Sequence, residues 1–186
     1  MKLLVGLGNP GRNYENTRHN AGFSILEKLN EKENGEWGNE AKANALISRI
    51  KLDNEDVILA LPQSYMNLSG EAVVELLRWF KLDISDLIVV HDELDLPFGK
   101  IQIKKGIGPA GHKGIKSIIE RIGEDFVRVR IGIGIENLEI PSEKFVLEKF
   151  SEEEIEELEN IEEKVIEKLK LLVKYGYEEF VSKYNK

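Results

Sequence analysis

Apolar positions along the chain follow two spacings, one typical of strands and one typical of helices. Strand-like runs, either continuously apolar or alternating with polar residues, occupy 2–6, 44–52, 57–61, 87–90, 99–105 and 126–135. Helix-like spacing, with apolar residues three and four positions apart, occupies 21–30, 69–80, 112–122 and 151–175. Strands that alternate with helices in this way predict an α/β fold.

The order of the strand-like runs makes the fold prediction more specific. Continuous apolar runs at 2–6 and 87–90 favour central strands of a parallel sheet, and two runs around a polar turn at 53–56 predict a hairpin. We therefore expect a single domain spanning 1–186, a mixed, mostly parallel twisted sheet with helices on both faces.

Helix ends are predicted from capping residues. Thr17 or Asn20 is expected to cap the helix at 21–30, and Ser151 followed by Glu154 predicts a capping box at the start of the last helix. An apolar stripe on that last helix is expected to face inward: Ile155, Leu158, Ile161, Val165, Leu169 and Leu172.

Composition narrows the class of protein. Of the 186 residues, 41% are hydrophobic and 32% are charged, as in soluble globular proteins. Cysteine is absent, which excludes disulfides and thiolate metal sites and is compatible with a reducing cytosol. No apolar run is long enough to cross a bilayer, and Met1 leads directly into a strand-like run without an apolar signal core. We expect a cytoplasmic monomer without a membrane partner.

Charge is unevenly distributed along a chain whose net charge is −8. Between 100 and 130, eight basic residues stand against three acidic ones, which gives this segment a net charge of +5 in a chain that is otherwise −13. The basic residues are Lys100, Lys104, Lys105, Lys113, Lys116, Arg121, Arg128 and Arg130. Such a segment is either a solvated face or the electrostatic footprint of a nucleic-acid partner.

A glycine-rich loop follows the first strand, where Gly6, Gly8 and Gly11 match the spacing G-x-G-x-x-G. In a dinucleotide-binding fold the last glycine lies in the first turn of a helix, but here the next apolar period starts only at Ala21. The spacing alone is weak evidence. We expect instead a rigid loop at the carboxyl end of the strand, where open α/β sheets bind ligands, with Asn9 presented at that edge.

The three histidines, His19, His91 and His112, are the candidate acid–base groups. His19 and Asp92 follow two strands that we expect to be parallel, so both come to the same edge of the sheet. A His–Asp pair without a nucleophile elbow favours hydrolysis by water, in which Asp92 orients His19 and His19 takes the proton. Adjacent strand residues point to opposite faces, so only one of His91 and Asp92 enters the site.

Less specific interpretations of these residues stay open at this point. The sequence around His19 is equally compatible with a histidine that only packs in the interior or lies on the surface. A metal site built from His19, His91 and Asp92 is conceivable, but it lacks any recognised ligand spacing. Asn67 fits either a cap of the following helix or a carboxamide that binds peptide groups of a substrate.

Several longer motifs together resemble the bacterial peptidyl-tRNA hydrolase family. They are VGLGNPG at 5–11, TRHNAG at 17–22, MNLSG at 66–70, HDELDLPFGK at 91–100, GHKG at 111–114 and VRVRIGIG at 127–134. These motifs occur in the family's order and are far more specific than a single glycine pattern. The resemblance implies an enzyme that hydrolyses the ester between a peptide and tRNA and needs no metal or organic cofactor.

The family's site residues carry over by position. The resemblance implies His19 as the catalytic base, Asp92 as the carboxylate that orients it, and Asn9 near the scissile ester and the terminal ribose. It also implies that Asn67 holds the peptide backbone. The resemblance implies that Lys104 and Arg130, both within the +5 segment, clamp the tRNA 5′-phosphate. It also implies that Tyr14 lies in the entrance loop.

Two departures from the family pattern affect the expected grip on the substrate. GHNG of the family is GHKG here, so Lys113, which only donates hydrogen bonds, replaces an asparagine and is expected to reach a phosphate or a peptide carbonyl. Pro109 stiffens a loop that is glycine-rich in the family.

The alternative functions are a non-catalytic RNA-binding relative of the splicing type and a small-molecule esterase, which would not need the basic segment.

Overall fold

The computed structural model describes residues 1–184, which build one seven-stranded sheet covered by helices. The strands are β1 (Lys2–Gly6), β2 (Gly38–Glu40), β3 (Ala45–Leu52), β4 (Glu55–Pro62), β5 (Leu87–Pro97), β6 (Ile101–Lys105) and β7 (Val127–Gly134). The helices are α1 (Ala21–Lys32), α2 (Ser69–Phe80), α3 (Lys113–Ile122), α4 (Ser142–Phe145) and α5 (Glu152–Tyr184).

The strand order is β2-β3-β4-β1-β5-β7-β6. The four central strands β4, β1, β5 and β7 are parallel, and the outer strands pair antiparallel. The mixed α/β fold predicted from the sequence is therefore confirmed. Because Gly6, the last residue of β1, lies opposite Val90 of β5, the loop after β1 lies beside the second half of β5. Asp92, expected to follow that strand, lies within it, because β5 continues to Pro97.

Alternation along the central strands divides the apolar core into two layers. Leu4 and Val90 belong to the layer beneath α1 and α5, whereas their neighbours Val5 and Val89 belong to the layer beneath α2 and α3. Successive strand residues face opposite sides of a sheet, so the continuous apolar runs reflect burial on both faces. Within residues 1–184, no helix combines the length and the apolar character needed to span a membrane.

Several predicted elements differ from those observed. The last helix continues to Tyr184 across a break at Gly176, whose φ is 74°. Ile155 was expected to face inward, but it is 54% exposed, because the side of the first turn of α5 that faces the protein carries Glu154, which pairs with Arg18. β2 and α4 were not predicted, since three or four residues with few apolar positions carry no periodicity.

Packing, rather than phosphate binding, accounts for the first two glycines of the loop after β1. A Cβ on Gly6 would collide with the carbonyl of Gly22 in α1, and one on Gly8 would lie 2.6 Å from the ring of Phe23. Gly11 adopts a φ of 104°, a conformation that other residues rarely take. The G-x-G spacing thus allows α1 to approach the end of β1 closely.

Candidate active site

A cleft of about 860 Å³ opens beyond the end of β1, beside Asp92 and Glu93 of β5. Its walls come from the start of α3 on one side and from segment 142–147 on the other. Five of the eight predicted site residues line it: Asn9, His19, Asn67, Asp92 and Lys113. The other three, Tyr14, Lys104 and Arg130, lie outside its lining.

His19 and Asp92 are in direct contact. Nδ1 of His19 lies 2.9 and 3.0 Å from the two carboxylate oxygens, and both residues are buried. Nδ1 therefore carries the hydrogen and donates it, which leaves the lone pair on Nε2. Nε2 has no hydrogen-bond partner within residues 1–184, and the side chain lines the cleft. This nitrogen is able to accept a proton from a molecule bound there.

His112 holds the same carboxylate from the other side. Its Nε2 lies 3.0 Å from Oδ1 of Asp92, while its Nδ1 accepts the backbone N–H groups of Gly114 and Ile115 at 3.1 and 3.2 Å. A nitrogen that accepts two N–H groups has no hydrogen of its own, so Nε2 of His112 is the donor. This ring therefore caps α3 and orients Asp92, but it has no free lone pair for acid–base work.

Both histidines act on the ionisation of Asp92. Burial alone would raise the pKa of this carboxyl, but the adjacent His19 and His112 outweigh that effect and hold the pKa well below its usual range. Asp92 is therefore ionised across the physiological pH range, as a group that orients a histidine must be.

The metal site considered from the sequence, His19 with His91 and Asp92, is not formed. Nδ1 of His91 donates to the backbone carbonyl of Asp92 at 2.7 Å, and complete burial, the largest influence, lowers its pKa well below the usual value, so it stays neutral. The ligand-type atoms that do come together, within 4.8 Å, belong to His19, Asp92 and His112. They fit a metal poorly, because the two ring nitrogens facing the carboxylate both carry hydrogens.

Asn9 is fixed by three hydrogen bonds. Its Oδ1 accepts the N–H of Met66 at 2.8 Å, and its backbone N–H and carbonyl pair with the carboxamide of Asn20 at 2.9 and 3.0 Å. Because Oδ1 is occupied, the Nδ2 group of Asn9 remains as the donor toward the cleft. Asn20 occupies the N-cap position of α1 as predicted, but its side chain makes no cap hydrogen bond, because the carboxamide binds Asn9 instead.

Lys113 and Asn67 lie at the cleft rim. Nζ of Lys113 pairs with Glu143 of the opposite wall at 2.8 Å, and both side chains are largely exposed. Asn67 is exposed and lines the cleft, and Leu68 rather than Asn67 occupies the N-cap position of α2. The helix-cap interpretation of Asn67 is therefore wrong.

Lys104 and Arg130 lie on one face of the β6–β7 pair. Lys104 is opposite Arg128, and Gln102 is opposite Arg130. Lys104 is exposed, whereas Arg130 contacts Gln102 and donates from Nε and Nη2 to Glu93 at 3.0 and 2.8 Å. One of the two expected phosphate ligands is thus already paired with a buried carboxylate.

Acidic partners also pair with four more of the eight basic residues of the +5 segment. Ion pairs join Lys105, Lys113, Lys116 and Arg121 to Asp125, Glu143, Glu120 and Glu71. Arg128 is buried and donates to the carbonyls of Ile107 and Gly108, in the loop that carries Pro109. Within residues 1–184, Lys100 and Lys104 are the segment's exposed cations without an ion pair.

An aromatic pair stands beside the cleft. The ring centroids of Tyr14 and Tyr65 are 6.4 Å apart in an edge-to-face arrangement. Tyr65 is 59% exposed and lines the cleft. Sequence reasoning missed Tyr65, although its position two residues before Asn67 is a signal that could have drawn attention to it. It also missed the contact of Asn20 with Asn9 and the presence of Glu143, whose partner Lys113 lies on another element.

The fold and the site together define a class of protein. A histidine oriented by a buried carboxylate, next to a donor amide at the carboxyl edge of an α/β sheet, is the arrangement with which hydrolases activate a nucleophile. A more specific assignment comes from comparison with known proteins. The family model described as Peptidyl-tRNA hydrolase matches residues 3–186, and this chain belongs to that family.

Relatives match along the whole chain. The peptidyl-tRNA hydrolase of Syntrophomonas wolfei is 42% identical over 186 residues, covering 100% of both chains. That of Fusobacterium nucleatum is 43% identical and covers 100% of this chain and 97% of its own. The crystal structure of peptidyl-tRNA hydrolase from Acinetobacter baumannii has a TM-score of 0.88 and 38% identity, and covers 94% of this chain and 89% of its own.

Proposed function

We infer that this protein hydrolyses the ester bond between a peptide and the ribose of tRNA. Membership in the family and the Nδ1–carboxylate contact between His19 and Asp92, which leaves Nε2 of His19 free in the cleft, carry this conclusion. A non-catalytic RNA-binding role is not favoured, because the relatives are named as hydrolases over the full length of the chain.

The proposed reaction is general-base hydrolysis. Nε2 of His19 takes a proton from water as the water oxygen attacks the ester carbonyl, and Asp92 stabilises the imidazolium. The Nδ2 group of Asn9 donates to the oxyanion of the tetrahedral intermediate. When this intermediate collapses, the ribose oxygen leaves and takes the proton from His19, giving a free tRNA hydroxyl and a peptide carboxylic acid, which loses its remaining proton to solvent. A base placed in this way contributes about 10² to 10⁴ in rate.

The proposed contacts distribute the substrate over the surface around the cleft. Asn67 binds the peptide backbone, and Lys113 reaches a peptide carbonyl or a phosphate after leaving Glu143. Tyr14 contacts the 3′ end at the cleft entrance. Lys104 and Arg130 bind the 5′-phosphate of the acceptor stem, with Lys104 the freer of the two cations. We also propose that the protein acts as a cytoplasmic monomer, because one chain supplies every group in this scheme.

Release of peptide from N-acetylaminoacyl-tRNA tests the proposed function. Wild type should release the peptide with chelator present, His19→Ala should lose at least 10²-fold in kcat, and both should bind the tRNA equally in a filter assay. Asn9→Asp, which still accepts the Met66 N–H but cannot donate, should lower kcat by about 10² to 10³. Binding without cleavage by wild type would contradict a hydrolase, and an unchanged rate in His19→Ala would contradict the assigned base.

A further inference from the structure

The side chain of Arg18 takes no part in the scheme above, yet it directly precedes His19. Its Nη1 and Nη2 groups each donate to one carboxylate oxygen of Glu154 at 2.7 Å, and the two side chains are only 7% and 14% exposed. The guanidinium also lies over the rings of Phe145 and Phe150, 4.4 and 5.0 Å from their centroids. Arg18 is therefore fixed on three sides.

The backbone of the same turn is joined to the segment between those two aromatic residues. The N–H of His19 donates to the carbonyl of Val146 at 2.8 Å, and the N–H of Arg18 donates to the carbonyl of Glu148 at 3.0 Å. Thr17 forms an isolated antiparallel bridge with Lys149. Because Val146 lines the cleft, these bonds connect the proposed base directly to the cleft wall.

Glu154 links this unit to the start of α5. Its carboxylate accepts the backbone N–H of Ser151 at 2.7 Å, and its own N–H donates to Oγ of Ser151 at 3.2 Å. This is the capping box that the sequence predicted. The carboxylate that receives Arg18 is thus held in the first turn of a long helix that packs on the sheet.

Stability alone does not account for this ion pair. A buried pair loses its hydration and often adds little to stability compared with apolar side chains of similar volume. Nε of Arg18 is also buried without a hydrogen-bond partner in the described chain, which is unfavourable. What a planar, two-bond arginine–carboxylate contact does provide is a single fixed geometry.

We propose that Arg18 is a positioning residue for hydrolysis. Paired with Glu154, it fixes the turn that carries His19 against segment 145–150, and so sets Nε2 of His19 at a defined distance from the wall along which the ester lies. Asp92 fixes the direction of the ring, while Arg18 fixes its location. This role rests on the proposed function of His19 as the base.

Glu154→Gln tests the proposal, with Ser151→Ala as the matched control. Glutamine still accepts the Ser151 N–H in a capping box, but it cannot form the paired charge contact with Arg18. Ser151→Ala removes Oγ from the cap and leaves the Arg18 contact intact. We expect both variants to lower Tm, but only Glu154→Gln to lower kcat, by about 10-fold with KM for peptidyl-tRNA unchanged, because small displacements of a catalytic group are costly.

Two further measurements separate positioning from a purely structural effect. Arg18→Lys, which keeps the charge but makes one contact instead of two, should give an intermediate kcat. The NMR signal of the Nδ1 proton of His19 is assigned by its disappearance in His19→Ala. Its chemical shift should change in Glu154→Gln and not in Ser151→Ala.

The proposal is overturned if Glu154→Gln or Arg18→Lys, assayed at a temperature well below its Tm, has the same kcat as wild type. It is also overturned if kcat falls in Ser151→Ala in proportion to its loss of Tm. A failure of the proposed function would look different, since wild type itself would then bind the tRNA without releasing peptide. A failure of the assigned base would leave the rate of His19→Ala unchanged, whatever the Arg18 and Glu154 variants do.

Discussion

His112 donates its Nε2 hydrogen to Asp92 at 3.0 Å while Nδ1 of the same ring caps α3. These two tasks are separable by substitution. In His112→Asn the carboxamide can cap the helix, since asparagine is a favourable N-cap residue, but it cannot at the same time donate to Asp92. We therefore expect Tm near that of wild type and a kcat at least 10-fold lower, whereas His112→Ala should lose about 1 kcal/mol of stability as well.

Calorimetry and peptide-release assays on these two variants check this prediction. Full activity in His112→Asn would show that the cap is the whole contribution of His112, and that His19 alone suffices to orient Asp92.

Lys104 and Arg130 should differ when each is replaced by methionine. Lys104 is exposed without an ion pair among the described residues, so Lys104→Met should keep Tm and raise KM for peptidyl-tRNA. The slope of the logarithm of the tRNA-binding constant against the logarithm of the salt concentration should fall in magnitude by about 1. Arg130→Met leaves Glu93, only 2% exposed, without its partner, which should destabilise the fold by about 3–5 kcal/mol. Denaturant unfolding and a KCl series of KM values measure both; equal stability of the two variants would contradict the prediction.

Gly22→Ala should be strongly destabilising. A Cβ at this position would collide with the carbonyl of Val90 and the backbone of Leu7, so α1 and the preceding turn with His19 would have to shift. We expect a loss of about 1–3 kcal/mol or more, together with a lower kcat. Gly108→Ala is the control, because nothing lies within 4 Å of its Cβ position, and it should unfold at the same denaturant concentration as wild type.

Glu154 gives the stability of the fold a defined dependence on pH. Burial alone would raise its pKa, but the hydrogen bonds from Arg18 and from the backbone of Ser151 outweigh this and lower the pKa below its usual range. The folded-state value is the lower one, so ionised Glu154 favours the fold above the unfolded-state pKa of about 4.3, and this contribution is lost as the pH falls through the folded-state pKa.

Tm measured from pH 7 downward tests this dependence. Glu154→Gln should melt below wild type at pH 7, and the difference should close below about pH 4. A constant difference across this range would show that ionisation of Glu154 contributes nothing to the stability of the fold.

The parts of the structure that follow from local pattern were predictable from the sequence. Continuous apolar runs identify β1 and the start of β5 as central parallel strands, and this alone predicts that His19 and Asp92 lie at one edge of the sheet, where they are in contact. The spacing of Ser151 and Glu154 likewise predicted the cap of α5. In each case a short-range rule fixes both the residues and the direction in which they act.

The rest depends on pairings between segments that are far apart along the chain. Arg18 and Glu154 are separated by 136 positions, and no periodicity in either segment indicates that they meet. In the same way, the pairing of Arg130 with Glu93 depends on where β7 lies relative to β5. Which nitrogen of His112 carries the hydrogen depends on the first turn of α3, a local feature that becomes informative only once Asp92 is known to lie beside the ring.

The position of β1 has a consequence for how the chain is made. Of the seven strands described, β1 is synthesised before the others, but it lies between β4 and β5, so both of its edges stay unpaired until 55–62 and 87–97 have followed. An apolar strand with open edges invites pairing with other chains. A chain that terminates before residue 87 is therefore not a smaller enzyme but an aggregation-prone fragment, with its N-terminal strand half covered and the carboxylate of its site not yet made.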